Sequence, residues 1–260
     1  MKKYIVIVLL SMFCFAVSAQ NMVDKNNMKQ GRWVKLDDNG NKVYEGTFKN
    51  DKPVGEFLRF FDNGKLRSRQ IFNADNTVET ELFRREGKLL AKGVFVGTQK
   101  EGEWINFSTK GEIFFREFFK NGKRHGTSTL YDEKGRIFET IEWENDKMHG
   151  TRKQFFPDGK LQSEINYKDG MRDGLSQSFF DNGKIETTGS FVNNRREGVW
   201  VFNNVDGSLN FEIEYKNGEA VNQEELDKKQ QQELNVNDRK AGTMRDPANY
   251  MSRPEEFIYK

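Results

Sequence analysis

The stretch Gly102–His125, GEWINFSTKGEIFFREFFKNGKRH, decides the fold, because its spacing recurs along the chain. Glycines at 102, 126, 150, 174 and 198 stand 24 residues apart, and a second series at 111, 135, 159, 183 and 207 keeps the same step. Self-similarity at such a period marks an array in which each unit stacks on the next. Carried outward, the phase gives unit starts at Gly31, Gly55, Val78, Gly102, Gly126, Gly150, Gly174 and Gly198. One unit is irregular. Phe72 to Phe95 spans only 23 residues, and Val78 and Thr80 stand where other units carry glycine and often an aromatic residue.

The residue seventeen places after each start is aromatic in every unit, from Phe48 and Phe72 through Phe119 and Trp143 to Phe191 and Tyr215. Five places after the start stand Leu36, Phe60, Phe83, Phe107, Tyr131, Phe155 and Phe179, with Asn203 the exception. In the last unit Leu209, Phe211, Ile213 and Tyr215 alternate with Asn210, Glu212, Glu214 and Lys216. A period of two puts each set on one face of a strand, and the alternation predicts a sheet with one buried and one wet side. DNGK at 62–65 and 181–184, PDGK at 157–160 and EKGR at 133–136 place a glycine between strand-like runs, where a turn needs positive φ. The connections KNGKRHG and KDGMRDG lead into the next unit, and both glycine series are read as turns. The expected fold is all-β: an elongated array of about eight 24-residue β-hairpin repeats over residues 31–221, a single antiparallel sheet that twists or curls to bury its aromatic face.

Composition agrees with a thin β structure. The chain has 260 residues with 23 Phe, 23 Gly and only 4 Pro, and its aromatics argue against disorder despite 32% charged residues. Lys2 and Lys3, the apolar run Ile5–Val17 and the small residues Val17-Ser18-Ala19 predict a cleavable signal peptide at 1–19, cut between Ala19 and Gln20. Export then places the mature chain in the periplasm, on the outer membrane or outside the cell. The lone cysteine, Cys14, leaves with the signal, so no disulfide is available. Loss of Lys2 and Lys3 brings the 42 basic residues level with the 40 acidic ones, which gives no electrostatic reason to expect nucleic acid. Residues 20–30 read as a short leader. Residues 222–260 read as a polar tail, partly helical or disordered, ending in the apolar tip Phe257-Ile258-Tyr259.

Tyr44-Glu45-Gly46-Thr47-Phe48 followed by Gly55 resembles the MORN repeat, whose pattern is Y-x-G-x-W/F, a short spacer, then glycine. Lys92-Gly93-Val94-Phe95 to Gly102 and Thr188-Gly189-Ser190-Phe191 to Gly198 look similar but lack the leading tyrosine. Elsewhere Glu117, Ile141, Ile165 or Ile213 stands at the position of Gly46, as in the divergent bacterial MORN-variant family. The resemblance implies a scaffold of β-hairpins, an oligomerisation surface or a lipid-binding surface. Members of that family are often labelled antitoxins of toxin–antitoxin systems.

No catalytic constellation accompanies the repeats. His125 and His149 occupy the same unit position as Glu101, Asp173 and Glu197, and read as turn residues rather than metal ligands. There is no G-x-S-x-G elbow and no phosphate-binding G-x-x-x-x-G-K-[ST] loop. The expectation is a chain that is not an enzyme and carries no cofactor or metal. Three features remain for binding. One is a basic edge of Lys52, Lys100, Lys123, Arg124, Lys147, Arg172, Arg195 and Arg196, suited to a polyanion. Another is the aromatic face, covered by curling, by a partner or by a second copy of the chain. The third is the pair of terminal sheet edges, open to an added strand, with the 257–259 tip as one docking element. The leading reading is an exported scaffold for a protein partner. The alternatives are an envelope glycan- or lipid-binding module and an antitoxin-like inhibitor.

Overall fold

A computed structural model describes residues 20–221 and 227–228. Residues 1–19, expected to be a signal peptide, and, apart from 227–228, the expected tail with its 257–259 tip lie outside the described residues. The described chain is all-β and antiparallel. It divides into two compact units, one running to Leu161 and taking in Tyr167–Gly170, the other Gln162–Asn166 with everything from Met171 on.

The first unit contains five complete hairpins. Their strand pairs are Lys29–Leu36 with Lys42–Lys49, Lys52–Phe60 with Leu66–Phe72, Thr77–Phe83 with Leu89–Val96, Gln99–Phe107 with Ile113–Lys120, and Gly126–Tyr131 with Ile137–Glu144. Lys147–Phe155 opens a sixth. The second unit holds the seventh, Met171–Phe179 with Ile185–Val192, and the eighth, Arg195–Asn203 with Leu209–Lys216. Seven complete hairpins are thus described, and most begin two or three residues before the reference glycine.

Two kinds of turn join these strands. Within a hairpin the loop has three residues, as in Asp62-Asn63-Gly64: the Phe61 N–H donates to Lys65 C=O and the Gly64 N–H to Phe61 C=O. Gly64 has φ 76°, which suits a type I turn closed by a left-handed residue. Between hairpins the loop shrinks to two residues that both have positive φ, such as Asn50-Asp51, Asn121-Gly122, Asn145-Asp146 and Asn193-Asn194. That is the primed turn whose twist matches the flanking strands.

The glycines that open the units are not turn residues, contrary to the sequence reading. Gly55, Gly102 and Gly198 lie inside strands with φ of 65°, 67° and 71°. Each sits at a β-bulge: Thr188 faces Val201 and Ser190 faces Glu197, so three residues including Gly198 oppose Gly189 alone. A left-handed residue inside a strand requires glycine, and the bulge bends the sheet at every such junction. Val78 cannot adopt that conformation. Where it replaces glycine the register from Ser68↔Leu82 to Phe72↔Val78 runs unbroken, and the connection at 73–76 becomes a longer loop closed by Asn73 N–H to Thr77 C=O.

The leader is structured. Met22–Val23 pairs with Lys29–Gln30, and the Asn21 side chain both donates to and accepts from the backbone of Val34. The N-terminal sheet edge, expected to be open, is therefore partly capped. At the other end Glu219–Ala220 pairs with Tyr215–Lys216, inside the expected array of 31–221.

Candidate interaction surface

Burial concentrates two residues after each start, a position that the sequence shows as often aromatic but to which it assigns no role. Phe57, Trp104 and Trp200 are there, and Trp104 is the most enclosed large side chain at 1% exposure. Each ring lies on the glycine eleven residues earlier in the preceding hairpin. A Cβ built on Gly46, Gly93 or Gly189 would come within 2.2, 2.4 and 2.2 Å of the rings of Phe57, Trp104 and Trp200. The indole N–H of Trp104 then donates to Val94 C=O at 3.1 Å, and that of Trp200 to Ser190 C=O at 3.1 Å. The glycine of the Y-x-G-x-F pattern is therefore a seat for the next hairpin's ring. Phe95 against Trp104, and Phe191 against Trp200, complete these latches with edge-on contacts at 4.9 and 5.0 Å.

Other junctions exchange the volumes. Gln70 faces Thr80 directly, and Glu117 and Ile165 precede Ser128 and Ser176 by the same eleven residues. Thr80, Ser128 and Ser176 are all buried. A large side chain on one strand thus meets a small one on the next. Ile141 with Arg152 departs from the rule, and there the guanidinium is engaged by Glu139. Burial raises the Glu117 carboxyl above its ordinary value, against the opposing pull of Lys100 and Arg124.

The basic edge separates into two rows. Lys100, Arg124, Arg172 and Arg196 turn inward over rings: Lys100 lies 4.4 Å from Trp104 and 4.5 Å from Phe119, Arg124 4.0 Å from Trp143, Arg172 4.1 Å from Phe191, and Arg196 4.6 Å from Trp200. Lys52, Lys123, Lys147 and Arg195, one residue earlier in their units, remain exposed. Successive strand residues face opposite sides, so neighbours such as Lys123 and Arg124 take different roles. The inward cations are stapled by the turns. Asp146 N–H donates to Arg124 C=O at 3.0 Å, Asn194 N–H to Arg172 C=O at 2.9 Å, and Gly218 N–H to Arg196 C=O at 2.9 Å.

Glu101 and Glu197 accept from the turn amides of Asn121 and Asn217 at 2.7 and 2.8 Å, and Asp173 from Asn193 at 3.2 Å. His125 and His149 occupy that position in their own units, and His149 Nδ1 lies 3.7 Å from a Glu144 oxygen. Among the described residues no group of three or more His, Cys, Asp or Glu side chains converges on a metal position. No helix among them is long and apolar enough to cross a membrane.

The aromatic series five places after each start is half-buried and makes no ring contact with the latch rings among the described residues. It pairs instead with aliphatics beside the hairpin turns, as Phe60 with Leu66 and Phe107 with Ile113.

One apolar group points outward. Phe114, Phe118 and Phe138 of the fourth and fifth hairpins are 39%, 41% and 43% exposed. Arg116, Thr129 and Thr140 lie opposite one another across three strands. Phe114, Phe118 and Phe138, each two residues from Arg116 or Thr140, therefore fall on that same outer face.

Four segments, residues 29–50, 53–74, 148–169 and 172–193, match the family described as MORN repeat variant. The chain carries four MORN-variant repeats. The third, fourth, fifth and eighth hairpins fall outside the matched segments. MORN repeats are commonly protein or lipid interaction modules and generally non-catalytic. No curated relative matches the chain. A solved structure titled Crystal Structure of TcdB2-TccC3-TEV is similar at 13% identity and a TM-score of 0.16, covering 75% of this MORN-repeat chain and 12% of that one.

Proposed function

We propose that the chain is an exported, non-catalytic MORN scaffold that holds a protein partner on the outer face of its fourth and fifth hairpins. The observation that supports this reading is the exposed set Phe114, Phe118 and Phe138, which the latches do not use. Exposed rings bordered by polar residues are what the centre of a protein interface is made of. Export rests on the basic start, apolar run and small-residue site at 1–19. The test is affinity capture of the mature protein from its own cell envelope, compared with a variant carrying Phe114→Ser, Phe118→Ser and Phe138→Ser. A partner lost from the variant, with its melting temperature unchanged, supports the reading. Equal capture by both proteins overturns it. N-terminal sequencing that does not begin at Gln20 removes the export step.

A second reading has its own observation. The outward row Lys52, Lys123, Lys147 and Arg195 is exposed and could meet an envelope polyanion. Retention on heparin or anionic vesicles should then fall with salt and with Lys123→Glu and Lys147→Glu. No retention at low salt removes this reading.

A further inference from the structure

The line of ring contacts that runs from Trp33 through Phe48 and Phe57 to Phe72 breaks between the second and third hairpins. Phe57 touches Phe72 and Phe95 touches Trp104, but no ring contact joins Phe72 to Phe95 among the described residues. Three departures coincide there. Val78 removes the bulge, Thr80 replaces the latch ring, and the adjoining Ser68 and Ala91 are small and buried. Together they leave a solvent-open hollow of about 650 Å³, with Phe61, Leu82, Phe83, Leu90 and Phe95 among its walls.

The charge of this hollow has one sign. Arg59 and Arg67 line it and no carboxylate does. The two guanidiniums stand 5.2 Å from the Phe57 ring and 5.9 Å from the Phe61 ring, and neither is paired with a carboxylate among the described residues. Gln70 and Thr80 add polar groups to the wall. An occupant that satisfies it must bring anionic groups next to bulky apolar ones.

We infer that the hollow receives the segment Glu255-Glu256-Phe257-Ile258-Tyr259 of this chain. Its two carboxylates answer Arg59 and Arg67, and its three large side chains fill the space that a latch ring fills elsewhere.

The experiment titrates a labelled peptide of residues 254–260 into the full-length protein carrying Phe257→Ala and Tyr259→Ala, so that the protein's own tail does not compete. Saturable binding is expected, weakened about tenfold or more by Arg59→Glu with Arg67→Glu. The unaltered protein should bind the added peptide several-fold more weakly than the tail variant, because its own segment occupies the site. Thr80→Trp should block the site by supplying a ring. If Thr80→Trp fails to fold, the two arginine substitutions, made at exposed positions, keep the test open. No saturable binding up to about 1 mM overturns the inference. So does equal binding of a peptide with Ser at 257, 258 and 259, or indifference to the arginine substitutions.

Discussion

Hairpins seven and eight are joined by Trp200 lying flat on Gly189, while hairpins two and three are joined by Gln70 against Thr80. Both junctions are continuous antiparallel pairings, yet only the first has a bulge and a ring in it. The backbone step between MORN units therefore does not depend on one side-chain solution. A glycine with an indole, or a medium side chain with a small one, fills the same gap. What differs is the consequence. The latched junction is closed and apolar, and the exchanged junction leaves room and keeps polar groups inside.

The largest effects should come from breaking a latch. Trp200→Ala is expected to lower stability by about 3–5 kcal/mol, as removal of a buried aromatic does. Gly189→Ala should cost about 2–3 kcal/mol by pushing a methyl into the indole from the other side. Denaturant midpoints measure both, and values under about 1 kcal/mol would mean that the ring is not seated as described. Next in size is the cation above the ring. Arg196→Ala should cost about 1 kcal/mol, and Arg196→Lys less, since either cation can face Trp200.

The exchanged junctions should respond in the opposite sense. Ser128 has a buried hydroxyl with no hydrogen-bond partner among the described residues. Ser128→Ala should therefore be neutral or stabilising by up to about 1 kcal/mol. A clear loss on thermal melting would show that the hydroxyl has a partner in solution. The smallest effect concerns Glu117, whose carboxyl is raised by burial. For an acid so shifted the charged form is penalised in the folded state. The penalty is absent below the ordinary value of 4.5 and complete above the raised one, so stability falls as pH rises through that window. Glu117→Gln should stabilise at pH 7 by about 2 °C or less and do nothing at pH 4. An equal shift at both pH values would contradict the assigned cause.

The period, the hairpins and the column from Phe48 to Tyr215 were legible in the sequence, because they repeat within each unit. The latch was not. Gly46 and Phe57 belong to different units, and a search by columns within one unit does not pair them. The pairing becomes visible only when the residue fifteen after one start is compared with the residue two after the next. The opening glycines were recognised as positions of positive φ but assigned to turns, since sequence shows the need for that conformation and not whether a bulge or a loop supplies it. The basic edge was over-read for a related reason: Lys123 and Arg124 are neighbours in sequence but point to opposite faces. The leader has no period at all, and its cap is made by backbone pairing that residue types do not announce.

The turn staples set a rule of growth. Asp146 bonds back to Arg124, Asn194 to Arg172 and Gly218 to Arg196, each donor reaching the carbonyl 22 residues behind it. Copying a block of one period into such a run leaves every donor with an acceptor at that same distance, whatever the point of insertion. A change by another amount needs a rebuilt connection, as at 73–76, where the 23-residue unit closes its own loop. A gene with this pattern can gain or lose whole units by unequal crossing-over and still encode a chain whose bonds are complete. Repeat number is thus free to vary under selection while repeat length is held.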